Sequence, residues 1–315
     1  MTHKDALGIE QKAEWERSVR PERYDEAYFL GSCEGYTEFI ASEGAHLSRR
    51  LSQAFDAAEV VPGMRVLDVG CGRGEIVRHC TGLGVRAYGV DYAPVALRMA
   101  RDARNICQAD AKSLPFPRAS FDRVLMFDVV EHLYPWELEQ ALAEARRVLR
   151  PDGRLIVHTA PNVWYDRYAY PLVRLIRTLM GQGRKYPRDP RATIPDNLDV
   201  HVNEQSAASL RRVLRRAGFR PQVWLDTPPQ NRSEGLVFRA ARHVLFNWPP
   251  FRWFFEREVF AVARINSACI RSDRKEKRQR DLHCRTQNRR ASVPESHRLL
   301  PGYGGAGLHP YHQGS

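Results

Sequence analysis

The feature that most constrains this chain is an alternation of short apolar runs with amphipathic helical stretches, which begins at Met64. Four runs have the apolar, β-branched character of buried strands, and they start at Arg65, Arg86, Phe121 and Arg154. Strands that alternate with helices form a parallel sheet with helices on both faces. The sequence therefore predicts an α/β fold, a Rossmann-like doubly wound sheet that is mostly parallel.

The chain outside this alternation divides by composition. Residues 1–60 carry apolar residues at helical spacing, over 24–29 and 36–58, and are predicted to form a helical cap or lid. The core domain is predicted over residues 61–270. Residues 271–315 hold ten Lys/Arg, four Asp/Glu and little apolar sequence, so this basic tail is predicted to be disordered.

Inside the core domain, residues 161–203 interrupt the alternation with aromatic, basic and Pro-rich sequence and are predicted to form an insertion over the site. One amphipathic helix is expected within it, over residues 170–180. A helix over residues 137–150 is expected to end at the turn 151–153, because Pro and Gly stop a helix. After the insertion, the pattern predicts one basic helix and two late strands, over residues 206–217, 219–225 and 260–264.

Charge and cysteine content narrow the class of protein. The net charge is +12, and the ten basic and four acidic residues of the tail account for +6 of it. The remainder is spread thinly, which suits anionic partners of many kinds and does not specify a nucleic acid. The six cysteines form no CxxC pair, so we expect reduced thiols and no metal site. The N-terminus lacks the apolar stretch of a secretory signal, and a cytoplasmic location is expected.

The most informative local signal is a glycine-rich turn directly after the first predicted strand. Gly70, Gly72 and Gly74 let the backbone turn tightly and approach a ligand before the next helix begins. The spacing is GxGxG rather than the GxGxxG of dinucleotide-binding proteins, and Asp68 precedes it inside the strand. Both features favour S-adenosylmethionine over NAD. Cys71, within the turn, is interpreted as a small packing residue of the cofactor site rather than a nucleophile.

Two carboxylates follow at the ends of the next strands. Asp91 ends the second strand, roughly 20 residues past the glycines, where a carboxylate can accept both hydroxyl hydrogens of a ribose. Tyr92, beside it, is counted with the same site. Asp110 follows a short third strand and can accept from an adenine amino group, while the Ala111 backbone N–H can donate to a ring nitrogen. Glycine turn, ribose and adenine contacts thus occur in the strand order that a nucleoside site requires.

These motifs resemble those of class I S-adenosylmethionine-dependent methyltransferases, particularly the small-molecule group that includes the ubiquinone and menaquinone biosynthesis enzymes. The resemblance is carried by residues 66–74, 89–91, 109–110, 114–116, 120–122 and 149–153. It implies S-adenosyl-L-methionine as cofactor, with its methionine part on the glycine turn, its ribose on Asp91 and its adenine on Asp110 and Ala111. It also implies that Phe127 and Asp128, at the end of the fourth strand, flank the methionine amine.

Two histidines are candidates for a catalytic base. His132 lies just past the fourth strand and His201 lies at the end of the insertion, in the loops where ligands of α/β sheets bind. The alternative is that His132 caps or packs its loop and that His201 orders the insertion. Aromatic residues of the cap resemble lids of the same family, with burial in a core as the alternative; they are Tyr24, Tyr28, Phe29 and Tyr36.

The acceptor is less well specified. The segment from Asp128 to Glu131 stands where nucleic-acid amino methyltransferases carry an Asn/Asp-Pro-Pro-aromatic run, so a nucleic-acid partner is disfavoured. Residues 168–180 and 246–255 place Arg beside Leu, Ile and Trp, which is typical of an interfacial helix; packing as a lid and a domain edge is the alternative.

The predicted reaction is methyl transfer to a small-molecule acceptor. Oxygen is preferred over nitrogen or carbon, on a lipid-linked, glycan or natural-product substrate, with peripheral membrane contact. A non-catalytic S-adenosylmethionine-binding regulatory protein and an NAD-dependent oxidoreductase are the rival interpretations. The sequence does not specify an oligomeric state.

Overall fold

The computed structural model describes residues 18–33, 35–42, 44, 46–100, 103–226, 243 and 248–267. Its strands are β1 (Arg65–Val69), β2 (Arg86–Asp91), β3 (Ile106–Gln108), β4 (Phe121–Phe127), β5 (Leu149–Thr159), β6 (Phe219–Asp226) and β7 (Glu258–Ile265). They form one sheet in the order β3-β2-β1-β4-β5-β7-β6. Strands β1 to β5 run parallel, and β7 is antiparallel to both of its neighbours. The mostly parallel, doubly wound sheet expected from the sequence is confirmed.

The order of the strands fixes where a ligand can bind. From β1 the chain passes outward to β2 and β3 and then returns to the other side of β1 as β4. The helices that follow β1 and β4 therefore lie on opposite faces and leave a crevice at the carboxyl ends of these strands. The predicted glycine turn follows β1 at this point.

Helices cover both faces of the sheet. They are α1 (Tyr36–Ser42), α2 (Arg49–Asp56), α3 (Glu75–Gly82), α4 (Pro94–Met99), α5 (Pro135–Val148), α6 (Tyr170–Leu179), α7 (Asn197–Val200), α8 (Ala207–Arg216) and α9 (Phe251–Phe255). Single π-helical turns span Tyr28–Ser32 and Tyr165–Ala169. None of the described helices is long and apolar enough to cross a membrane.

Successive side chains of β1 and β4 point to opposite faces of the sheet, so the core has two layers. Leu67 and Met126 face the layer built on α5 and α8, while Val66 and Leu125 face the layer built on α2 and α3. All four side chains are at most 1% exposed. Because central parallel strands are buried on both faces, they appear in sequence as the continuous apolar runs from which the fold was predicted.

Two predicted helix boundaries are wrong. The helix expected over residues 36–58 is divided, since α1 ends at Ser42 and Ser48 caps α2 by accepting from the Leu51 amide at 3.3 Å. The helix expected over 137–150 ends at Val148, because Leu149 already pairs with Phe121 of β4. The Pro-Asp-Gly segment 151–153 thus lies within β5, where a register shift against β4 accommodates it.

The helices and late strands predicted after residue 160 lie where the sequence places them. The insertion contains α6 at the predicted place, and α8 begins after Ser206, which caps it by accepting from the Ser209 amide at 3.1 Å. The chain divides into two compact units at Cys269, and all described residues belong to the first. The predicted disordered tail, residues 271–315, lies outside the described residues.

Candidate active site

A cavity of about 460 Å³ lies at the carboxyl ends of β1, β2 and β4. Almost every site residue predicted from the sequence lines it: Asp68, Gly70, Cys71, Gly72, Asp91, Tyr92, Asp110, Ala111, Phe127, Asp128, His132 and His201. Gly74 instead lies behind the turn as the N-cap of α3, where an added Cβ would come within 3.0 Å of the Ile106 side chain. We call the part with the glycine turn, Asp68, Asp91 and Asp110 the glycine-turn end. The part with Glu131, His132 and His201 is the histidine end.

The glycine turn is held by backbone geometry. Gly70 and Gly72 have φ values of +75° and +47°, which disfavour other residues. The amides of Gly70 and Cys71 donate to the Val90 carbonyl at 2.8 and 3.0 Å. A Cβ on Gly70 would lie 2.4 Å from a methyl group of Val129. The turn therefore requires glycine for its close approach to the neighbouring loop as well as for its conformation.

Asp91 connects this turn to β2. Its two carboxylate oxygens accept from the amides of Gly72 and Ala93, each at 2.8 Å. Burial raises its pKa, and the two amide donors oppose that rise. Each oxygen keeps a second lone pair, so the carboxylate can accept two further hydrogen bonds from a ligand diol in the cavity.

Asp68 is the least compensated acid at the glycine-turn end. Its side chain is 4% exposed and lines the cavity, and none of the described residues donates a hydrogen bond or ion pair to it. Burial, with added repulsion from Glu75 and Asp91, raises its pKa well above the usual range. A buried carboxylate without a partner favours a cationic ligand group.

Asp110 is partly neutralised by a lysine. Its carboxylate lies 2.9 Å from the Lys112 ammonium, which also contacts Glu137 at 2.7 Å. The same ammonium lies over the rings of Tyr92 and Trp136, 5.9 and 5.4 Å from their centroids. Sequence reasoning missed Lys112, although it follows Asp110 and Ala111 directly in the motif. These groups form the polar, aromatic rim at the end of β3.

Asp128, predicted to flank the methionine amine, lines the cavity and already has two partners. Its carboxylate pairs with Arg50 at 3.0 Å and with His158 at 2.9 Å. Burial alone would raise the pKa of Asp128, but these two cations outweigh it and hold the pKa well below its usual range. Glu258 contacts the other nitrogen of His158 at 2.6 Å. Arg50 comes from the cap and has no motif that would predict it.

The histidine end joins residues that are far apart in sequence. The Glu131 carbonyl accepts from the amides of Val202 and Asn203 at 2.9 and 3.0 Å, and His132 Nδ1 lies 3.2 Å from the Val200 carbonyl. The rings of His132 and His201 are consequently 5.0 Å apart, edge to face. Burial, reinforced by the neighbouring His201, lowers the pKa of His132 to about 3, so its ring is neutral near pH 7.

Glu131 ends the segment that begins at Asp128, and the sequence predicts no role for it. Its side chain is 1% exposed and accepts from the Thr159 hydroxyl at 2.8 Å. No lysine or arginine of the described residues pairs with it. Burial, with repulsion from Asp128, raises its pKa to about 7. The histidine end thus contains a second buried acid without a strongly cationic partner.

The cap closes over both ends of the cavity. Tyr24, Tyr28 and Phe29 line it, and the Tyr24 ring meets the His132 ring edge to face at 5.6 Å. Tyr36 does not line the cavity and packs instead beneath the guanidinium of Arg73. The lid predicted from these aromatic residues stays a prediction, but three of the four are in place to exclude water.

Arg73 ties the cap to the glycine turn. It is 1% exposed, pairs with Glu75 at 2.6 Å, and donates to the backbone carbonyls of Phe29 and Cys33. Nothing in the glycine motif signals this role, because an arginine at that position is equally compatible with an exposed loop. The contact makes the turn and the cap one packed unit.

Comparison with known proteins finds methyltransferases among those that this chain resembles. Residues 67–157 match the family model described as methyltransferase domain. A "Probable S-adenosylmethionine-dependent methyltransferase" of Mycolicibacterium smegmatis is 35% identical over 184 residues, 58% of this chain and 60% of that protein. A ubiquinone/menaquinone biosynthesis C-methyltransferase of Bordetella avium is 29% identical over 194 residues, 56% of this chain and 72% of that protein.

A solved structure shares the fold. A chain from the complex that contains the Haloferax volcanii Trm112 methyltransferase activator aligns with a TM-score of 0.53 at 18% identity, over 79% of this chain and all of that chain. Residues 67–157 thus match a methyltransferase domain, and the sheet around them has the Rossmann-like fold that class I methyltransferases share. The chain matches only 60% of the length of its Mycolicibacterium relative.

The similarity to S-adenosylmethionine-dependent methyltransferases implies S-adenosyl-L-methionine as cofactor, and the cavity suits it. The molecule carries an ammonium group, a ribose diol and an adenine. The glycine-turn end offers an uncompensated buried acid in Asp68, open lone pairs on Asp91 and a polar, aromatic rim at Asp110. The donor set therefore fits the group on its chemistry.

Proposed function

We propose that this protein transfers a methyl group from S-adenosyl-L-methionine to a hydroxyl oxygen of a small, lipid-linked acceptor. The observation that carries the proposal is the single cavity that brings a cofactor-compatible glycine-turn end together with a histidine end under one aromatic cap. Methyl transfer needs an aligned acceptor and the exclusion of water more than it needs covalent chemistry from the protein.

At the glycine-turn end, we assign one ligand group to each acid. Asp68 binds the ammonium of the methionine part, Asp91 binds the ribose hydroxyls, and Asp110 with the Ala111 amide binds the adenine, against Tyr92. Phe127 packs beside the methionine part. Asp128 acts through its pairs with Arg50 and His158, which fix the end of β4 beside the cavity.

When bound, S-adenosyl-L-methionine would supply an electrophilic sulfonium methyl group for transfer to the acceptor oxygen. The histidine end holds the acceptor and takes up its hydroxyl proton. Between the two predicted bases, His201 is the better one. The low pKa of His132 makes it a weak base, although it can accept a hydrogen bond.

The experiment begins with calorimetric titration by S-adenosylmethionine, S-adenosylhomocysteine and NADH. One-site binding of the first two with no response to NADH is expected. Incubation with methyl-labelled S-adenosylmethionine and separated lipid and polar extracts should then place the label in an ether. Label in an amine or on carbon would replace the oxygen proposal. Cofactor binding without any transfer would favour the regulatory protein, and binding of NADH alone would favour the oxidoreductase.

An exposed apolar surface supports a lipid-linked acceptor. In α6, Leu172, Leu175 and Leu179 are 50%, 56% and 80% exposed. The segment 248–253 exposes Trp248, Phe251 and Trp253 by 62%, 46% and 50%. We call these six residues the apolar patch. The two predicted interfacial segments pack together, since the Tyr168 ring contacts the Phe254 ring at 5.6 Å; residues 246 and 247 lie outside the described residues.

Basic side chains accompany this patch. Arg167 is exposed with its guanidinium 5.7 Å from the Tyr168 ring, and Arg184 and Lys185 are exposed just past α6. Apolar side chains flanked by arginine and lysine suit the interface of an anionic bilayer. The insertion that carries α6 also supplies His201, so the apolar patch and the histidine end share one segment of the chain.

Vesicle co-sedimentation tests this part of the proposal. The protein should bind vesicles of mixed phosphatidylcholine and phosphatidylglycerol, and Leu175→Glu with Leu179→Glu should reduce the bound fraction several-fold. Ile40→Glu is the matched control, because Ile40 is 61% exposed on α1 outside the patch. Absence of binding, or equal loss in the control, would restrict the acceptor to a water-soluble molecule.

A further inference from the structure

Three donor groups of the histidine end lie close enough to share one ion. A carboxylate oxygen of Glu131 and one ring nitrogen each from His132 and His201 lie within 4.8 Å of one another. The three residues are 1%, 9% and 9% exposed, and all of them line the cavity. Cysteine spacing predicts no metal site in this chain. The three donors of the histidine end include no cysteine and come from two distant segments, so spacing in the sequence does not reveal them.

The hydrogen bonds of the two histidines orient them as ligands. His132 Nδ1 lies 3.2 Å from the Val200 carbonyl, and His201 Nδ1 lies 3.4 Å from a carboxylate oxygen of Glu204. A ring that donates from Nδ1 carries its lone pair on Nε2. Neither Nε2 has a hydrogen-bond partner among the described residues. A backbone carbonyl or carboxylate on the far nitrogen is the usual arrangement of a metal-bound histidine.

The charge of Glu131 is also uncompensated. Its carboxylate accepts from the Thr159 hydroxyl at 2.8 Å and lies 3.5 Å from the Ala160 amide. Within the described part of the chain it has no Lys or Arg partner, whereas Asp110 and Asp128 in the same cavity each have one. Burial of an unpaired carboxylate is costly, and a bound cation would remove that cost.

We propose that Glu131, His132 and His201 form a binding site for a divalent transition-metal ion of the Co²⁺ and Zn²⁺ type. Two imidazoles and one carboxylate favour such an ion over Mg²⁺, which prefers an all-oxygen set. Donors bound to one tetrahedral ion lie about 3.3 Å apart, so the three groups approach one another on binding. Three protein donors leave a coordination position open towards the cavity.

The role of the ion rests on the proposed function. An acceptor hydroxyl in the open position would lose its proton to solvent water more readily, because a bound cation stabilises the oxyanion. The O–CH₃ bond then forms as the S–CH₃ bond breaks, and S-adenosylhomocysteine leaves as a neutral thioether. His132 and His201 would then act as neutral ligands, and with the ion bound solvent water replaces His201 as the acceptor of the hydroxyl proton.

Metal titration of the chelator-treated full chain tests the site without cofactor or acceptor. Calorimetry with CoCl₂ and ZnCl₂ should show one ion per chain, and Co²⁺ should give visible d–d bands that an equal concentration of MgCl₂ does not displace. Glu131→Gln and His201→Ala should each weaken binding by at least roughly 10- to 100-fold. His79→Ala, which removes a histidine packed on Phe55 outside the cavity, should leave binding unchanged.

Equal affinity in the wild type, Glu131→Gln and His201→Ala, or no binding, would overturn the proposal. Glu131→Gln keeps an oxygen that can accept from the Thr159 hydroxyl, so we expect this variant to fold. It therefore tests the metal site even if His201→Ala does not fold. S-adenosylhomocysteine titration of the same samples separates the two proposals. Metal binding without cofactor binding would support the metal site and refute the proposed function. Cofactor binding without metal binding would refute the metal site and leave the proposed function standing.

Discussion

The two ends of the cavity are built in different ways. At the glycine-turn end, Gly70, Gly72 and Asp91 lie at the ends of two adjacent strands, and backbone amides hold them in place. At the histidine end, His132 and His201 come from segments far apart in sequence that are joined by the Glu131 and Val200 carbonyls. The first end is therefore sensitive to backbone changes, and the second depends on the docking of the insertion.

The largest effect is expected for Arg73→Met. It leaves Glu75 buried without its partner and frees the Phe29 and Cys33 carbonyls, so the free energy of unfolding should fall by about 3–5 kcal/mol. Urea denaturation measures this. Arg98→Met, on the exposed face of α4, should change stability by less than about 0.5 kcal/mol. Similar values for both variants would show that the cap and the turn are not one packed unit.

Gly70→Ala comes next. The new Cβ would lie 2.4 Å from a Val129 methyl group at a φ of +75°, and we expect a loss of about 2–4 kcal/mol in the free energy of unfolding. The double variant with Val129→Ala should recover the part due to the clash and keep the part due to φ. Full recovery of stability in the double variant would mean that the positive φ at residue 70 costs nothing. It would contradict the conclusion that the backbone conformation of the turn requires glycine.

Asp91→Ala tests whether the affinity for the cofactor depends on the glycine-turn end. Loss of charge-assisted hydrogen bonds should weaken S-adenosylhomocysteine binding by roughly 1–3 kcal/mol. His201→Ala, at the histidine end, should leave that affinity within about twofold. Calorimetry on both variants decides the assignment. Unchanged affinity in Asp91→Ala would refute the ribose contact, and a large loss in His201→Ala would place the cofactor across both ends.

The smallest effect concerns pH. Burial alone would lower the pKa of His158, but Asp128 and Glu258 outweigh it, with Arg50 opposing them, and the pKa rises from 6.5 to about 9. A raised histidine pKa stabilises the fold fully below about pH 6.5 and loses this contribution as the pH rises through about 9. The free energy of unfolding should therefore fall as the pH rises across this range, with a slope of about 1 kcal/mol per pH unit.

His158→Gln provides the control for this pH effect. It removes the titrating ring while retaining a donor between Asp128 and Glu258, so its stability should vary less between pH 6.5 and 9. Chemical denaturation at several pH values compares the two proteins. If the free energy of unfolding changes with pH to the same extent in both proteins, other groups cause the pH dependence. The contact between His158 and Asp128 would then be a hydrogen bond of a neutral histidine.

Sequence and structure agree most closely where function depends on neighbouring residues. The parallel strands, the glycine turn, Asp91 and Asp110 all follow from local patterns, because parallel strands are buried on both faces and a tight turn needs glycine. The ends of α5 and the division of the cap helices were missed, since pairing of Leu149 with Phe121 and capping by Ser48 depend on tertiary contacts or fine local geometry.

The sequence by itself determined the class of fold and the residues that line the glycine-turn end. It also named His132 and His201 separately as candidates. Only the tertiary structure decided that the two rings meet beside the buried Glu131, that Asp128 pairs with Arg50 and His158, and that Arg73 holds the cap. The physical reason is that hydrogen bonds between distant segments leave no periodicity or spacing in the chain, whereas strands and turns do.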